Sequence, residues 1–144
     1  VKPRHRAREV ALQILYRYDV AATTEGIAIP TGADLAKDLA KHFDHFQVPA
    51  DLREFAAQLV AGTLASQKEL DTLIETNVSN WKLGRLGVVD RSLLRMAAYE
   101  LKGFPETSVS VVIDEAIELG KQFGTEDTPA FVNGVLDTLK TSLR

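Results

Sequence analysis

The residues of this chain with the plainest chemical potential are cations. Lys2, Arg4, Arg6 and Arg8 place four positive charges in the first eight residues, with His5 among them and no acid. The formal net charge of the whole chain is −3, so +4 at the head leaves −7 for the rest. A basic head on an acidic body points to a polyanionic partner. The placement also opposes local preference. Unpaired N–H groups give a helix N-terminus about half a positive charge, and each exposed cation there costs about 0.3–1 kcal/mol. A phosphate backbone relieves that conflict, because it accepts guanidinium forks and backbone N–H donors together. The plainer alternative is a solvated terminus that aids solubility, and charge alone does not separate RNA from DNA.

A second group lies near the other end, where Phe123, Asp127 and Phe131 bracket a short polar connection. An aromatic ring beside cations can carry an unstacked base. Phe131 is therefore a candidate base platform. Asp127 is a candidate acceptor for a base amino group, as acids are for cytosine. The N–H groups of Thr128 and Ala130 could meet phosphate or base oxygens. Spacing alone equally allows both Phe rings to be core and Asp127 to be a helix-entry acid.

Catalytic signals are sparse. Asp114, Glu115 and Glu118 cluster on one helix, with Asp90 and Glu100 on its expected neighbour. A di-metal bundle, however, needs Glu-x-x-His pairs, and the sequence has none. His42 and His45, with Asp38 one turn earlier, read as a solvated charged face rather than a metal site. Nucleophile elbows, P-loops and dinucleotide fingerprints are absent. The sequence thus predicts a protein that is not an enzyme and needs neither metal nor cofactor. With no cysteine, it offers no disulfide or thiolate site, which suits a cytoplasmic protein. It has no apolar run near the roughly 18 residues of a membrane span, and no secretory signal.

Helices must position these groups. Strand signals are nearly absent, since Ile27-Ala28-Ile29 is short and runs into Pro30. Helical periodicity predicts a first helix carrying Ala7, Val10, Ala11, Ile14, Leu15 and Tyr18 on one face, a second near Asp34 to Phe46, and a third from about Asp51. Ser66-Gln67-Lys68-Glu69 has the form of a capping box, opening a helix that ends near Trp81. A further helix runs from about Val88 to Lys102, stopped by Gly103 and Pro105. The sixth contains Val112, Ile113, Ala116 and Ile117 and stops at Gly124 in the left-handed region. Thr128 is read as the N-cap of the last helix, with Pro129 at its first position. About seven helices with short links make an all-α bundle, and 144 residues suit a single domain.

Several stretches resemble the NusB family of bacterial transcription antitermination factors. Val112 to Asp137 (VIDEAIELGKQFGTEDTPAFVNGVLD) is similar to the family's C-terminal helices. Val89 to Leu101 (VDRSLLRMAAYEL) is similar to its VDR-x-LLR-x-A-x-YEL helix. Ala7-Arg8-Glu9, running on to Leu15-Tyr16, resembles the family's first helix, and Asn80-Trp81 the end of its fourth. The motifs run in the family's order along nearly the whole chain, with 20–48 matching only loosely.

The resemblance implies a single 1–144 RNA-binding domain of two packed helical sub-bundles, approximately 1–66 and 67–144. Trp81, the only Trp, is read as a structural wedge between them, because Trp tends to be strongly buried. It implies binding of boxA-type single-stranded RNA together with NusE, a small-subunit ribosomal protein, within the RNA polymerase antitermination complex that supports ribosomal RNA operon transcription. It favours RNA contact by Lys2, Arg4, His5, Arg6 and Arg8, and carries Asp127 and Phe131 onto family positions that touch RNA, the strand being clamped between the head and the Phe131 edge. Tyr16, Gly84 and Arg85 match the NusE-facing positions. Ala130 stands where family members often have a basic residue, and Gly84-Arg85 where some have acids. The resemblance allows monomers and homodimers. Two alternatives belong with it. NusB-like domains also precede RNA cytosine methyltransferases, although this sequence has no cofactor-binding αβ region, and a purely protein-binding helical adaptor would carry the same fold.

Overall fold

The computed structural model describes residues 2–78 and 86–144. Among these residues the chain forms seven helices and no strand: α1 (Pro3–Thr24), α2 (Gly32–His45), α3 (Ala50–Ala65), α4 (Gln67–Asn77), α5 (Val88–Gly103), α6 (Val109–Phe123) and α7 (Thr128–Leu143). The fold is all-α, as the periodicity predicts. The chain divides into two compact units, Val1–Ala61 and Gly62–Arg144, the division falling within α3. Asn80 and Trp81 lie outside the described residues. Among the described residues no helix is long and apolar enough to cross a membrane.

In the first unit α1 buries the stripe expected of it, from Ala7 through Ile14 and Leu15 to Tyr18. α2 offers Leu35, Leu39 and Phe43 at helical spacing, and α3 offers Leu52, Phe55, Ala56, Leu59 and Val60, all buried. Each large apolar side chain so buried contributes about 1.5–3 kcal/mol. The α2–α3 turn puts Gln47 at φ 52°, unusual for a residue with a side chain. Arg53 braces that turn. Its Nε donates to the Val48 carbonyl at 2.8 Å, its Nη2 to the Phe43 carbonyl at 3.3 Å, and its Nη1 to Asp44 at 2.7 Å. A cation is well placed there, near the negative end of the α2 dipole.

The Tyr18 hydroxyl links α1 to α2 by donating to Asp38 Oδ2, which also lies 3.3 Å from His42 Nε2. Burial, the hydrogen bond to Asp38 and that carboxylate's charge all push the phenol above its ordinary value of 10.0.

In the second unit α5, α6 and α7 pack on one another, and α4 packs on α5 and α7. Leu93, Leu94 and Leu101 of α5, Leu119 of α6, and Val132, Leu136 and Leu139 of α7 are wholly buried. Arg95 forks onto Asp71 at 2.7 and 2.9 Å, and Lys102 meets Glu69 at 2.7 Å, tying α4 to α5. The second pair explains a departure from expectation. α4 begins directly after Ser66, but the Ser66 side chain makes no capping bond, and Glu69 reaches Lys102 instead of closing the box. Gly62 is required by close approach, because a Cβ there would lie 1.9 Å from Tyr99 Cζ. Arg144 finishes the unit. Its guanidinium donates to the Leu101 carbonyl at 2.6 Å, to that of Phe104 at 2.7 Å and also to that of Thr107, supplying donors where α5 ends.

The Tyr18 arrangement fixes the sign of a pH effect. A phenol whose pKa is raised by folding adds stability that is complete below about pH 10, its unfolded value, and is lost as pH rises toward the folded value. Denaturant midpoints of the parent should therefore fall faster above about pH 10 than those of Tyr18→Phe. Parallel profiles would show that the phenol titrates normally.

Candidate nucleic-acid interface

The cationic head forms the first two turns of α1. Lys2 precedes the helix in an extended conformation and Pro3 occupies its first turn, where its fixed φ suits helix entry and its missing N–H is no loss. The first turn holds no acid. The head is nevertheless less bare than its composition suggests. Glu9, one residue beyond the basic run, receives His5 Nε2 at 3.2 Å on one carboxylate oxygen and Arg6 Nη1 at 3.2 Å on the other. The helix geometry dictates this, since residues three and four apart share a face.

The four cations also differ in exposure. Lys2, Arg4 and Arg6 are exposed, whereas Arg8 is only 3% exposed and packs near Phe55. The Arg4 guanidinium carbon lies 3.8 Å from the centroid of the Phe55 ring, and that of Arg8 lies 5.4 Å from the same centroid. Arg8 cannot meet a phosphate unless that packing opens. Sequence reasoning missed both Glu9 and Phe55 as parts of the head. Glu9 was legible from its three- and four-residue spacing to Arg6 and His5, while Phe55 reads simply as core.

In the second unit the α6–α7 turn positions Asp127 and Phe131. Two details depart from expectation. Gly124 ends α6 with φ −93° and ψ −165°, which is extended rather than left-handed. Its missing Cβ matters because one built there would lie 2.4 Å from Thr128 Oγ1. Thr128 is the first residue of α7 rather than its cap, and the residue before it, Asp127, makes no side-chain capping bond either. The Thr128 side chain is wholly buried. Its hydroxyl accepts the N–H of Thr125 at 2.9 Å and donates to Asp90 Oδ1 at 2.6 Å. The Thr128 N–H donates to the Thr125 carbonyl at 3.2 Å, so it is not open to a phosphate as expected.

Around this brace Asp127 and Ala130 are exposed, and Phe123 and Phe131 are half-buried. Phe131 is thus neither a fully buried core residue nor a free ring. Asp90, which the sequence places among the clustered carboxylates weighed for catalysis, instead accepts the Thr128 hydroxyl and braces the turn.

Tyr16 is 41% exposed on α1. Gly84 and Arg85 lie outside the described residues. The head and Tyr16 belong to the first unit, and Asp127 and Phe131 to the second. Among the described residues no cluster of three or more His, Asp or Glu side chains is placed to hold a metal ion. His42 pairs with Asp38 and lies parallel to the Phe46 ring, the two planes differing by 3°.

Seven helices and no strand among the described residues define a small all-helical protein. More particularly, the chain belongs to the NusB family, whose sequence profile matches residues 5–141. It is 45% identical over 140 residues to the transcription antitermination protein NusB of Elusimicrobium minutum, covering 95% of this chain and 92% of that protein. A NusB structure from T. maritima superposes with a TM-score of 0.82 at 33% identity, covering 97% of this chain and 92% of that one. A chain from a crystal structure of antitermination factors NusB and NusE in complex with double-stranded RNA superposes with a TM-score of 0.76 at 28% identity, covering 97% of each chain.

The Thr128 brace has a measurable consequence. Thr128→Val keeps the shape but leaves the half-buried Asp90 carboxylate without its donor, a change that costs about 1–3 kcal/mol. Chemical denaturation should show a loss of that size, and an unchanged midpoint would remove the pair from the forces holding the turn.

Proposed function

We propose that this protein acts without a catalytic step, as a cytoplasmic transcription antitermination factor that binds boxA-type single-stranded RNA jointly with NusE, within the RNA polymerase complex that transcribes ribosomal RNA operons. The observation that carries this reading is the match along 97% of both chains to a structure of NusB and NusE in complex with double-stranded RNA, which supports binding of RNA and NusE; the preference for a single strand is inferred from the family resemblance. The exposed head supports it. Lys2, Arg4 and Arg6 are accessible to phosphates, and the Arg6–Glu9 pair is a partly exposed contact, a kind that contributes only about 0–1 kcal/mol. Phosphate can therefore replace Glu9 as the partner of Arg6 at little loss.

In the second unit Phe131 serves as the platform for one base and the exposed Asp127 carboxylate as an acceptor for a base amino group. His5 assists the head beside Glu9. Arg8 acts by holding the head in place, because it is buried. Tyr16 offers NusE an amphipathic ring of the kind enriched at protein interfaces, with Gly84 and Arg85 as the other contact positions. NusE extends the RNA surface and shares the ordering cost of binding.

The deciding experiment titrates boxA-like and scrambled RNA at two salt concentrations, with and without NusE. Sequence-selective binding strengthened by NusE is expected, and equal weak binding of both RNAs under all conditions would reject the assignment. Reversing charge at Lys2 and Arg6 together should weaken RNA binding and lower the salt slope by about 0.7 for each phosphate the variant no longer engages. Phe131→Ala should weaken RNA binding by about 1–3 kcal/mol if a base stacks on the ring. Reduced thermal stability with unchanged affinity would instead make Phe131 a packing residue. Tyr16→Asp should impair pairing with NusE while RNA binding by the isolated protein stays near the parent value, and equal loss of both would indicate misfolding.

A further inference from the structure

Arg4 differs from Lys2 and Arg6, the other exposed cations of the head, because it lies close over an aromatic ring. Its guanidinium carbon is 3.8 Å from the Phe55 centroid, a separation that requires approach over the ring face. Phe55 is itself only 6% exposed, held in the apolar stripe of α3 with Leu52, Leu59 and Val60. The ring is therefore a fixed support, and Arg8 at 5.4 Å adds a second, buried cation above it. Arg4 remains exposed. The Arg4 guanidinium is thus held close over the Phe55 ring and is still open to solvent.

We propose that Phe55 positions Arg4 as a stacking platform for a nucleobase of bound RNA, so that Arg4 recognises a base face rather than serving as an interchangeable phosphate counterion. The chemistry favours this assignment. Guanidinium planes stack on bases as aromatic rings do, and they are more weakly hydrated than an ammonium, so contact with a base displaces less tightly held water. A side chain already held against a ring also loses less freedom on binding than one extended into water. Phe55 touches no RNA in this arrangement and acts through Arg4. The inference rests on the RNA-binding reading of the head.

The two roles of Arg4 separate under charge-conserving substitution. Arg4→Lys retains the charge and any phosphate contact but loses the plane. Binding of a short boxA-like single-stranded RNA should weaken about tenfold, the scale of a lost base stack, with an unchanged salt slope. Phe55→Leu, which keeps an apolar side chain but removes the support, should weaken binding in the same direction, and Phe55→Tyr should restore it. Arg4→Lys binding within about twofold of the parent would overturn the proposal, and this variant decides the matter even if Phe55→Leu fails to fold. The Lys2 and Arg6 charge reversal distinguishes the two failures. If it leaves RNA affinity unchanged, the head does not meet RNA and both readings fall. If it weakens binding while Arg4→Lys does not, the platform alone is rejected.

Discussion

Thr128 has no access to solvent, yet its hydroxyl is fully used, donating to Asp90 at 2.6 Å and accepting from Thr125 at 2.9 Å. Away from water, a hydrogen bond to a carboxylate is stronger than one between neutral groups, and removing either partner strands the other. The surrounding turn follows from this bond. Gly124 must lack a side chain because the Thr128 side chain occupies that space. Gly120 packs against the same threonine, a Cβ there falling 3.1 Å from Thr128 Cγ2. Asp127, one residue earlier, is left in solvent with no capping duty, and Phe131 follows one turn into α7. The exposure of the candidate RNA contacts in this unit is thus a consequence of how a buried residue beside them is bonded.

In the first unit the constraint is electrostatic. Cations at the start of a helix oppose its dipole, and the chain answers in three ways. Glu9 supplies a carboxylate to His5 and Arg6, Phe55 supplies a ring face to Arg4 and Arg8, and Pro3 removes one N–H from the unsatisfied set. A ring–cation contact is worth about 0.5–1 kcal/mol when exposed and about 2 when desolvated. These contributions are of the same size as the dipole penalty, so contacts within the chain can offset it without a ligand. That weakens the argument that only a polyanion could explain its charges. It strengthens a different one: the cations are held in defined places, and a partner would meet a shaped surface.

The helices were legible because their evidence is local. Apolar spacing, Pro3, Gly103 and Pro105 locate α1 and α5. What escaped sequence reading involves side chains that meet only after folding. Thr128 and Asp90 are 38 residues apart, and Arg144 is 43 from Leu101. No periodicity links such pairs. Phe55 was invisible for another reason: its stripe marks it as core, which it is, and nothing local says that two arginines lie against its face. Gly124 shows a third limit. A glycine after a helix reads the same whether a left-handed turn or a crowding neighbour demands it. The residues assigned to RNA were chosen by type and by family position, and exposure then separates them, leaving Arg8 inside and Asp127 outside.

These exposures bear on how such a protein could hold RNA. Three exposed cations remain at the head, one of them shared with Glu9, and Ala130 adds no charge beside Phe131. Three phosphate contacts to a single strand give a salt slope of only about 2. An electrostatic attraction of that size is spread evenly over sequences and weakens quickly as salt rises. Affinity and selectivity would have to come from contacts that salt does not screen, namely stacking on flat groups and hydrogen bonds to base edges. A second protein that lengthens the RNA surface would raise affinity without adding charge to this chain. Under the proposed reading, partner dependence is what this charge distribution favours: a head with three exposed cations attracts any polyanion only modestly and gains most from a strand that another protein also grips.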